Sequence, residues 1–228
     1  MPVLALDTSA AVAVALVTDD GAPLALRRVT EERRHAELLG PMITDVLADA
    51  GADRRDLTSV IVGTGPAPFT GLRVGLVTAR TLALALGIPV HGVCSLDALA
   101  LQAAEDGALA VGTEVVVATD ARRREVYWAR YRVTGGDDVD VVAGPGVARP
   151  AQLAEDGVAD GARIVGRGAR LYADLLPGAP EEPVDPHPGV LARIALARAA
   201  RGVPLPSEPL YLRRPDVMEP AARKRASG

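Results

Sequence analysis

The N-terminal part of the chain alternates between short apolar segments and polar turns. Residues 3–6 and 11–18 are apolar runs, and Asp19-Asp20-Gly21 supplies a turn into residues 24–26. Runs of this length bounded by turn residues are typical of strands, so a strand, a polar loop and a hairpin are predicted. A helix is predicted next over residues 36–50, because its apolar residues fall on one stripe: Leu38, Leu39, Met42, Ile43, Val46 and Leu47.

A glycine-rich segment, residues 63–75, separates an apolar run at 59–62 from a largely apolar helix predicted over 74–86. The segment contains four glycines and two prolines. Free backbone N–H groups at such a junction favour an anion site, whereas the alternative is a tight crossover in which glycine lets the helix pack closely. The segment has neither the lysine of a P-loop nor the spacing of a dinucleotide-binding loop. Both interpretations stay open.

The second half of the chain repeats this order of elements. Residues 114–119 are predicted as a strand that runs into Asp120, followed by strands at 125–133 and 139–142. A duplicated architecture is therefore predicted, with one domain at 1–105, a second at 106–218 and a flexible tail at 219–228. The remaining predicted segments are an extended run at 88–93, a segment at 162–165, helices at 171–176 and 190–201, a proline-rich connector at 177–188 and a loose basic tail at 218–228.

Composition limits the function classes. With 228 residues, of which 49% are hydrophobic, the chain is long enough to bury a sizeable core. One Phe, one Trp and four Tyr argue against stacking platforms for single-stranded nucleic acid, and a net charge of −4 leaves only a local basic patch for such binding. The single Cys94 excludes an internal disulfide. Without a leader or an eighteen-residue apolar stretch, a soluble cytoplasmic protein with no membrane segment is predicted.

Candidate chemistry is concentrated at the ends of two predicted strands. Asp7 and Asp120 each stand where a strand meets a polar turn, which suits two carboxylates that face a cleft and hold magnesium beside a nucleotide phosphate. Thr8 and Ser9 are candidate hydrogen-bond donors to that phosphate. The alternative is that these residues satisfy their own turns and that the arginines at 122–124 form a solvated turn rather than a phosphate contact.

The sequence shows no convincing catalytic constellation. The histidines His35, His91 and His187 are widely spaced, and none forms a His-x-x-x-His pair. His35 is interpreted as a partly exposed residue at the start of a helix. No Gly-x-Ser-x-Gly elbow is present to position a nucleophile, so no catalytic residue and no metal ligand is assigned.

Four motifs, in order along the chain, resemble the bacterial TsaB family, also called YeaZ. They are Leu4-Ala5-Leu6-Asp7-Thr8-Ser9, the loop at 65–73, the segment at 120–127 and Pro209-Leu210-Tyr211-Leu212-Arg213. The resemblance implies an α/β actin-like ATPase (ASKHA) fold of two RNase-H-like lobes, each a mixed sheet flanked by helices. It also implies work in the synthesis of N6-threonylcarbamoyladenosine (t6A) at adenosine 37 of tRNA.

The resemblance implies protein partners rather than catalysis. Family members bind and activate the catalytic paralogue TsaD, work with the ATPase TsaE, form homodimers when alone and meet tRNA through the complex. The helices at 36–50 and 74–86 correspond to their docking helices, although on periodicity alone the chain's own sheet explains both apolar faces equally well. A glutamate at Leu39 or Leu82 is expected to abolish pairing and leave the fold intact. The implied interface residues are His35, Leu38, Leu39, Met42, Ile43, Val46, Thr70, Leu72, Val74, Thr78 and Leu82.

This chain differs from the related sequences at positions that bear on metal and nucleotide binding. Residues 95–99, Ser-Leu-Asp-Ala-Leu, stand where TsaD carries His-Leu-Glu-Gly-His, whose histidines bind the metal, so no intrinsic metal or cofactor is expected. Asp7, Thr8, Ser9 and Asp120 are then remnants of a nucleotide cleft, with ATP or ADP and magnesium there, or in the partner complex, as an alternative. Ala67 and Arg124 replace glycines common in the family, and strain is expected at Ala67 if its φ is positive. The competing hypotheses are an independent actin-fold small-molecule kinase or ATPase, and a metallopeptidase that the missing ligands disfavour.

Overall fold

The structure is a computed structural model that describes residues 1–30, 34–176 and 182–213. The strands in these ranges are β1 (Pro2–Asp7), β2 (Val12–Thr18), β3 (Pro23–Val29), β4 (Val60–Gly63), β5 (Val90–Val93), β6 (Glu114–Asp120), β7 (Val126–Val133), β8 (Val139–Ala148) and β9 (Arg163–Val165). The helices are α1 (His35–Asp49), α2 (Phe69–Leu86), α3 (Ser95–Asp106), α4 (Pro150–Glu155), α5 (Arg167–Leu171) and α6 (Pro188–Ala200). A 3-10 turn, Arg54–Asp56, precedes β4.

Two mixed sheets share one strand order. The first runs β3-β2-β1-β4-β5 and the second runs β8-β7-β6-β9. In the first sheet β1 is antiparallel to β2 and parallel to β4, and in the second β6 is antiparallel to β7 and parallel to β9. The predicted duplication is therefore confirmed.

Helices cover both faces of the two sheets. α1 and α2 pack on the outer face of the first sheet, around a core that includes Leu39, Val46 and Leu72. α3 and α6 lie between the sheets, in a cluster that joins Val3 of β1 to Val117 of β6. α5 packs on β6 and β9 from the other side of the second sheet.

The two central helices exchange sheets. α3 follows the first sheet along the chain but packs on β6 and β7, whereas α6 follows the second sheet but packs on β1, β2 and β4. One hydrophobic core is therefore shared between the two halves. The domain boundary after residue 105 stays a prediction, and the predicted tail at 218–228 and the first part of the connector, 177–181, lie outside the described residues.

The glycine-rich segment is shorter as a loop than the sequence predicts, because α2 begins at Phe69 and the loop covers only residues 64–68. Gly75 lies inside α2, and a Cβ there would come within 2.4 Å of Thr8 Oγ1. Close packing of the helix against the end of β1 therefore accounts for this glycine. The expected strain at Ala67 does not arise, because the left-handed backbone belongs to Gly65, with φ +86°, and Ala67 is buried in the core.

Other boundaries differ from the sequence prediction. The helix predicted at 171–176 is wrong, because α5 ends at Leu171. β8 extends to Ala148, beyond the predicted 139–142, and the helices α3 and α4 were not predicted. Gly87 ends α2 in a left-handed conformation with φ +68°.

Candidate functional site

A cleft of about 230 Å³ lies where the two halves of the chain meet. Its walls come from the turn after β1, the start of α2, the start of α3 and the end of β6, so each sheet delivers the carboxyl end of its central strand to the same place. The lining residues that bear on chemistry are Ser9, His35, Thr70, Ser95, Asp120 and Arg122.

Asp7 lies behind the wall of this cleft rather than in it. Its side chain is 1% exposed and accepts hydrogen bonds from Ser9 N at 2.8 Å, Ser9 Oγ at 2.6 Å and Ser95 Oγ at 2.6 Å. Burial raises the pKa of the Asp7 carboxyl, against the opposing effect of these donors. Gly63 permits the arrangement, since a Cβ there would lie 1.8 Å from Asp7 Oδ2. Two carboxylates are predicted to face the cleft, but the side chain of one of them, Asp7, is buried in the interior.

The two hydroxyl residues after Asp7 have local partners. Thr8 Oγ1 donates to the carbonyl oxygen of Gly71 at 2.8 Å, which fixes the first turn of α2 to the end of β1. Ser9 lines the cleft, but its hydroxyl donates to Asp7. The sequence left open that these residues only make hydrogen bonds within their own turn and to its neighbours. The observed contacts are of that kind.

Asp120 does line the cleft, at the end of β6. Its Oδ1 accepts from the backbone N–H of Arg122 at 2.8 Å, and the Arg122 guanidinium lies 3.5 Å from Oδ2. The arginines 122–124 form the turn between β6 and β7, and all three adopt left-handed backbone, with φ of 62°, 53° and 62°. Arg124 therefore stands in a conformation that favours glycine, which explains the glycine that is common there in the family.

Residues 95–99, which the resemblance matches to the metal-binding segment of TsaD, have structural roles here. Ser95 donates to Asp7 and its Oγ accepts from Gly65 N at 3.2 Å, while Leu99 is fully buried in the core between the sheets. Among the residues that the structure describes, no three His, Cys, Asp or Glu side chains are grouped so that they could hold a metal ion. His35 lies in the cleft wall, and burial lowers the pKa of both His91 and His187.

The predicted partner interface divides into core and surface. Leu39, Met42, Val46 and Leu72 are at most 5% exposed and belong to the chain's own core, so they offer no surface to a partner. The expectation that a glutamate at Leu39 leaves the fold intact is therefore wrong, because the charge would lie inside that core. The predicted interface residues that keep some accessible surface are His35, Leu38, Ile43, Thr70, Val74, Thr78 and Leu82.

Sequence reasoning missed two large apolar residues of α2 that are exposed. Val77 is 61% and Leu84 is 84% exposed, and together with Thr70 they repeat every seventh residue on one side of the helix. That spacing was the signal that could have identified them. By length and mean hydropathy α2 is also apolar enough to cross a membrane, and 28% of it is buried in this fold. Its exposed apolar side is a candidate docking surface.

The segment at 203–213 fastens the start of α2. The Tyr211 ring stacks on Phe69 with 5.2 Å between ring centroids, and the Arg73 guanidinium lies 3.5 Å from the Phe69 centroid and donates to Tyr211 Oη at 2.9 Å. Leu210 N donates to the Thr64 carbonyl oxygen at 2.9 Å. The Pro209–Arg213 motif therefore holds the helix at the edge of the cleft.

Comparison with known proteins identifies relatives of the whole arrangement. The family model described as TsaD, tRNA N6-adenosine threonylcarbamoyltransferase, matches residues 29–173. An uncharacterised protein of Mycobacterium tuberculosis (strain H37Rv) is 44% identical over 94% of this chain and 93% of its own length. An uncharacterised Mycobacterium leprae protein is 43% identical, and the chain spans 55% of it. The tRNA threonylcarbamoyladenosine biosynthesis protein TsaB of Escherichia coli K12 is 33% identical over 77% of this chain and 75% of that protein.

Solved structures agree with these relatives. YeaZ from Pseudomonas aeruginosa superposes with a TM-score of 0.77 at 29% identity, covering 92% of this chain and all of that one. A second Pseudomonas aeruginosa structure, described as an uncharacterised protein with similarity to peptidase YEAZ, superposes with a TM-score of 0.79 at 31% identity, covering 93% of this chain and 99% of that one. The two sheets of one strand order, each flanked by helices, accordingly form the expected actin-like ATPase fold. With its sequence relatives, its motifs and its fold in agreement, this chain belongs to the TsaB (YeaZ) family of tRNA threonylcarbamoyladenosine biosynthesis proteins.

Proposed function

We propose that the chain is a noncatalytic subunit of the t6A machinery and that it binds and activates a TsaD-type transferase subunit. The observation that carries this proposal is the exposed apolar side of α2, where Val77 and Leu84 lie in water in the isolated chain. Exposed apolar side chains on one side of a helix suit a contact with another protein. A TsaB protein that works by docking needs such a surface and needs no active site of its own.

The interior of the cleft supports a noncatalytic role. The Asp7 carboxylate is enclosed by Ser9 and Ser95, and Leu99 fills the position of a paralogue ligand. A metal that polarises substrate needs carboxylate or imidazole groups with open positions beside it. One solved relative is described as similar to a peptidase. The residues of this cleft do not offer that chemistry.

The proposed partners are those that the resemblance to the TsaB family implies. A TsaD-type subunit covers α1 and α2, a TsaE-type ATPase joins the complex, and a second copy of the chain occupies the same surface when it is alone. We propose that tRNA meets the chain through the complex, in the cytoplasm. The cleft, at about 230 Å³, is smaller than the usual range for small-molecule sites of about 300–1,000 Å³, so we assign ATP or ADP with magnesium to the partner complex.

The test is reconstitution of t6A synthesis from purified subunits and an unmodified tRNA. With the TsaD-type and TsaE-type proteins present, t6A formation should depend on this chain and should saturate at one chain per transferase subunit. Undiminished formation without the chain would contradict the proposal. Substantial ATP turnover by the isolated chain, lost in an Asp120→Asn variant, would instead favour the independent kinase or ATPase.

A further inference from the structure

Two arginines lie beside the exposed apolar residues of α2. Arg73 and Arg80 are both exposed, and Val77 stands between them, four residues after the first and three before the second. Residues at these separations are neighbours on the surface of a helix. A long arginine side chain lies along nearby apolar surface unless its guanidinium is held elsewhere. Both arginines are therefore placed to cover Val77.

α2 offers no carboxylate to hold either guanidinium away from that surface, because Phe69–Leu86 contains no aspartate or glutamate. The residues three or four positions from the two arginines are Phe69, Thr70, Leu76, Val77, Ala83 and Leu84. Of these, the Phe69 ring lies under the Arg73 guanidinium, which is 3.5 Å from the ring centroid. Hydrogen-bond acceptors for the two guanidiniums therefore have to come from another segment.

The acceptors come from the segment at 203–213, which we call the C-terminal strap. Tyr211 Oη accepts from Arg73 Nε at 2.9 Å, beside the stacked ring of Phe69. Ser207 accepts twice from Arg80, at Oγ from Nε at 3.0 Å and at its carbonyl oxygen from Nη2 at 2.6 Å. Both guanidiniums are thus drawn to the same side of α2, the side along which the strap runs.

The strap is itself fixed to the edge of the first sheet. Gly92 N of β5 donates to the Leu205 carbonyl oxygen at 3.0 Å, and Leu210 N donates to the Thr64 carbonyl oxygen at 2.9 Å. A Cβ at Gly92 would lie 2.3 Å from the Pro206 carbonyl oxygen, so the strap packs directly on β5. Backbone hydrogen bonds on both sides of Ser207 therefore keep the acceptors at a fixed position relative to α2.

We propose that the strap is an arginine clasp, which holds Arg73 and Arg80 aside and so keeps Val77 and Leu84 uncovered for a TsaD-type subunit. Val77 is 61% and Leu84 is 84% exposed, although each lies three or four residues from an arginine. A surface that is uncovered and ordered before binding loses less conformational entropy when the partner arrives. Ser207 and Tyr211 are positioning residues, because they affect the partner contact through the two arginines.

This inference rests on the proposed function and deepens it, since it makes docking depend on residues outside α1 and α2. It also gives a role to the C-terminal motif at 209–213, whose Tyr211 belongs to the clasp. The clasp and a direct contact between the arginines and the partner differ in one expectation. If the arginines only need to be held aside, their removal leaves docking intact.

The test is a double-mutant cycle, read by calorimetric titration of the TsaD-type subunit. The clasp variant, Ser207→Ala with Tyr211→Phe, removes two acceptors and keeps the stacked ring. Its Kd should rise by about three-fold or more, which is the change expected from about one net hydrogen bond. The arginine variant, Arg73→Ala with Arg80→Ala, should bind within about two-fold of the wild type. The variant with all four changes should bind as the arginine variant does.

A second measurement follows the clasp in the chain alone. NMR relaxation of the Arg73 and Arg80 Nε–H groups should show ordered side chains in the wild type and mobile ones in the clasp variant. A matched control, Thr113→Ala with Tyr172→Phe, removes two hydroxyls from the other half of the chain and should bind and relax like the wild type. A thermal melt of each variant confirms that it is folded.

Three results would overturn the inference while wild-type binding leaves the proposed function standing. They are arginine side chains that are equally mobile in the wild type and the clasp variant, a loss of binding by the arginine variant as large as that of the clasp variant, and a loss by the clasp variant that persists when the arginines are removed. Failure of the wild-type chain to bind the transferase subunit would contradict the proposed function, and the role of the clasp with it.

Discussion

A pair of glutamates on the exposed side of α2 tests the docking surface without disturbing the core. The change is Val77→Glu with Leu84→Glu, at positions that are 61% and 84% exposed in the isolated chain. Substitutions at such exposed positions usually alter the free energy of unfolding by about 0.5 kcal/mol or less. The variant should therefore fold normally and lose partner binding.

The size of the loss follows from the exposed fraction of each side chain. Full burial of a valine or leucine side chain contributes about 1.5–3 kcal/mol. Because most of both side chains is in water before docking, covering them contributes about 2–4 kcal/mol in total. That corresponds to a rise in Kd of about thirty- to a thousand-fold when the contact is lost. Carboxylates left inside the interface would add to the loss.

The assay is calorimetric titration of the TsaD-type subunit with each variant, beside a thermal melt of the variant alone. A matched control carries Val141→Glu and Val142→Glu on β8, where the side chains are 51% and 40% exposed but lie on the other sheet. The control should bind like the wild type. If the α2 variant melts normally and binds with unchanged Kd, the placement of the docking surface on α2 is refuted.

Three further predictions follow from the backbone and the buried carboxylate. Arg124→Gly should raise the free energy of unfolding by about 1 kcal/mol in a denaturant titration, because a left-handed conformation costs a non-glycine residue about that much, and Arg124→Ala should bring no gain. Gly63→Ala should lower it by about 1–3 kcal/mol, since the added Cβ would overlap Asp7 Oδ2, while Gly40→Ala, which meets nothing within 4 Å, should not. Burial raises the pKa of Asp7 above 3.8, so the stability contributed by its protonated form is present at lower pH and is lost as pH rises through the folded-state pKa. The Asp7→Asn variant should therefore gain stability relative to the wild type over that pH range. Parallel curves of stability against pH for the two proteins would contradict this.

The sheet architecture could be predicted from the sequence because it depends on local patterns. Apolar runs bounded by turn residues marked the central strands, and the repeated order of strand, Asp-headed loop and hairpin marked the duplication. α3 escaped because it is buried on nearly every side, so it has no polar face to set the helical period. Its packing on the opposite sheet depends on tertiary contacts, for which the sequence carries no local signal.

The candidate site was predicted less well for a similar reason. Asp7 and Asp120 occupy equivalent positions in the two halves, yet one is enclosed by Ser95 from a helix far along the chain and the other lines the cleft. Burial of Leu39 and exposure of Leu84 are likewise decided by where the sheet lies, since both belong to strongly apolar helices.

The most direct test of the account is nucleoside mass spectrometry of bulk tRNA from cells depleted of this protein and then supplied with one of two forms. The account predicts that t6A falls on depletion, returns with the wild-type chain and stays low with the Val77→Glu, Leu84→Glu variant expressed at the same level. An unchanged t6A level on depletion would contradict the role in tRNA modification, and full recovery with the variant would contradict docking through α2.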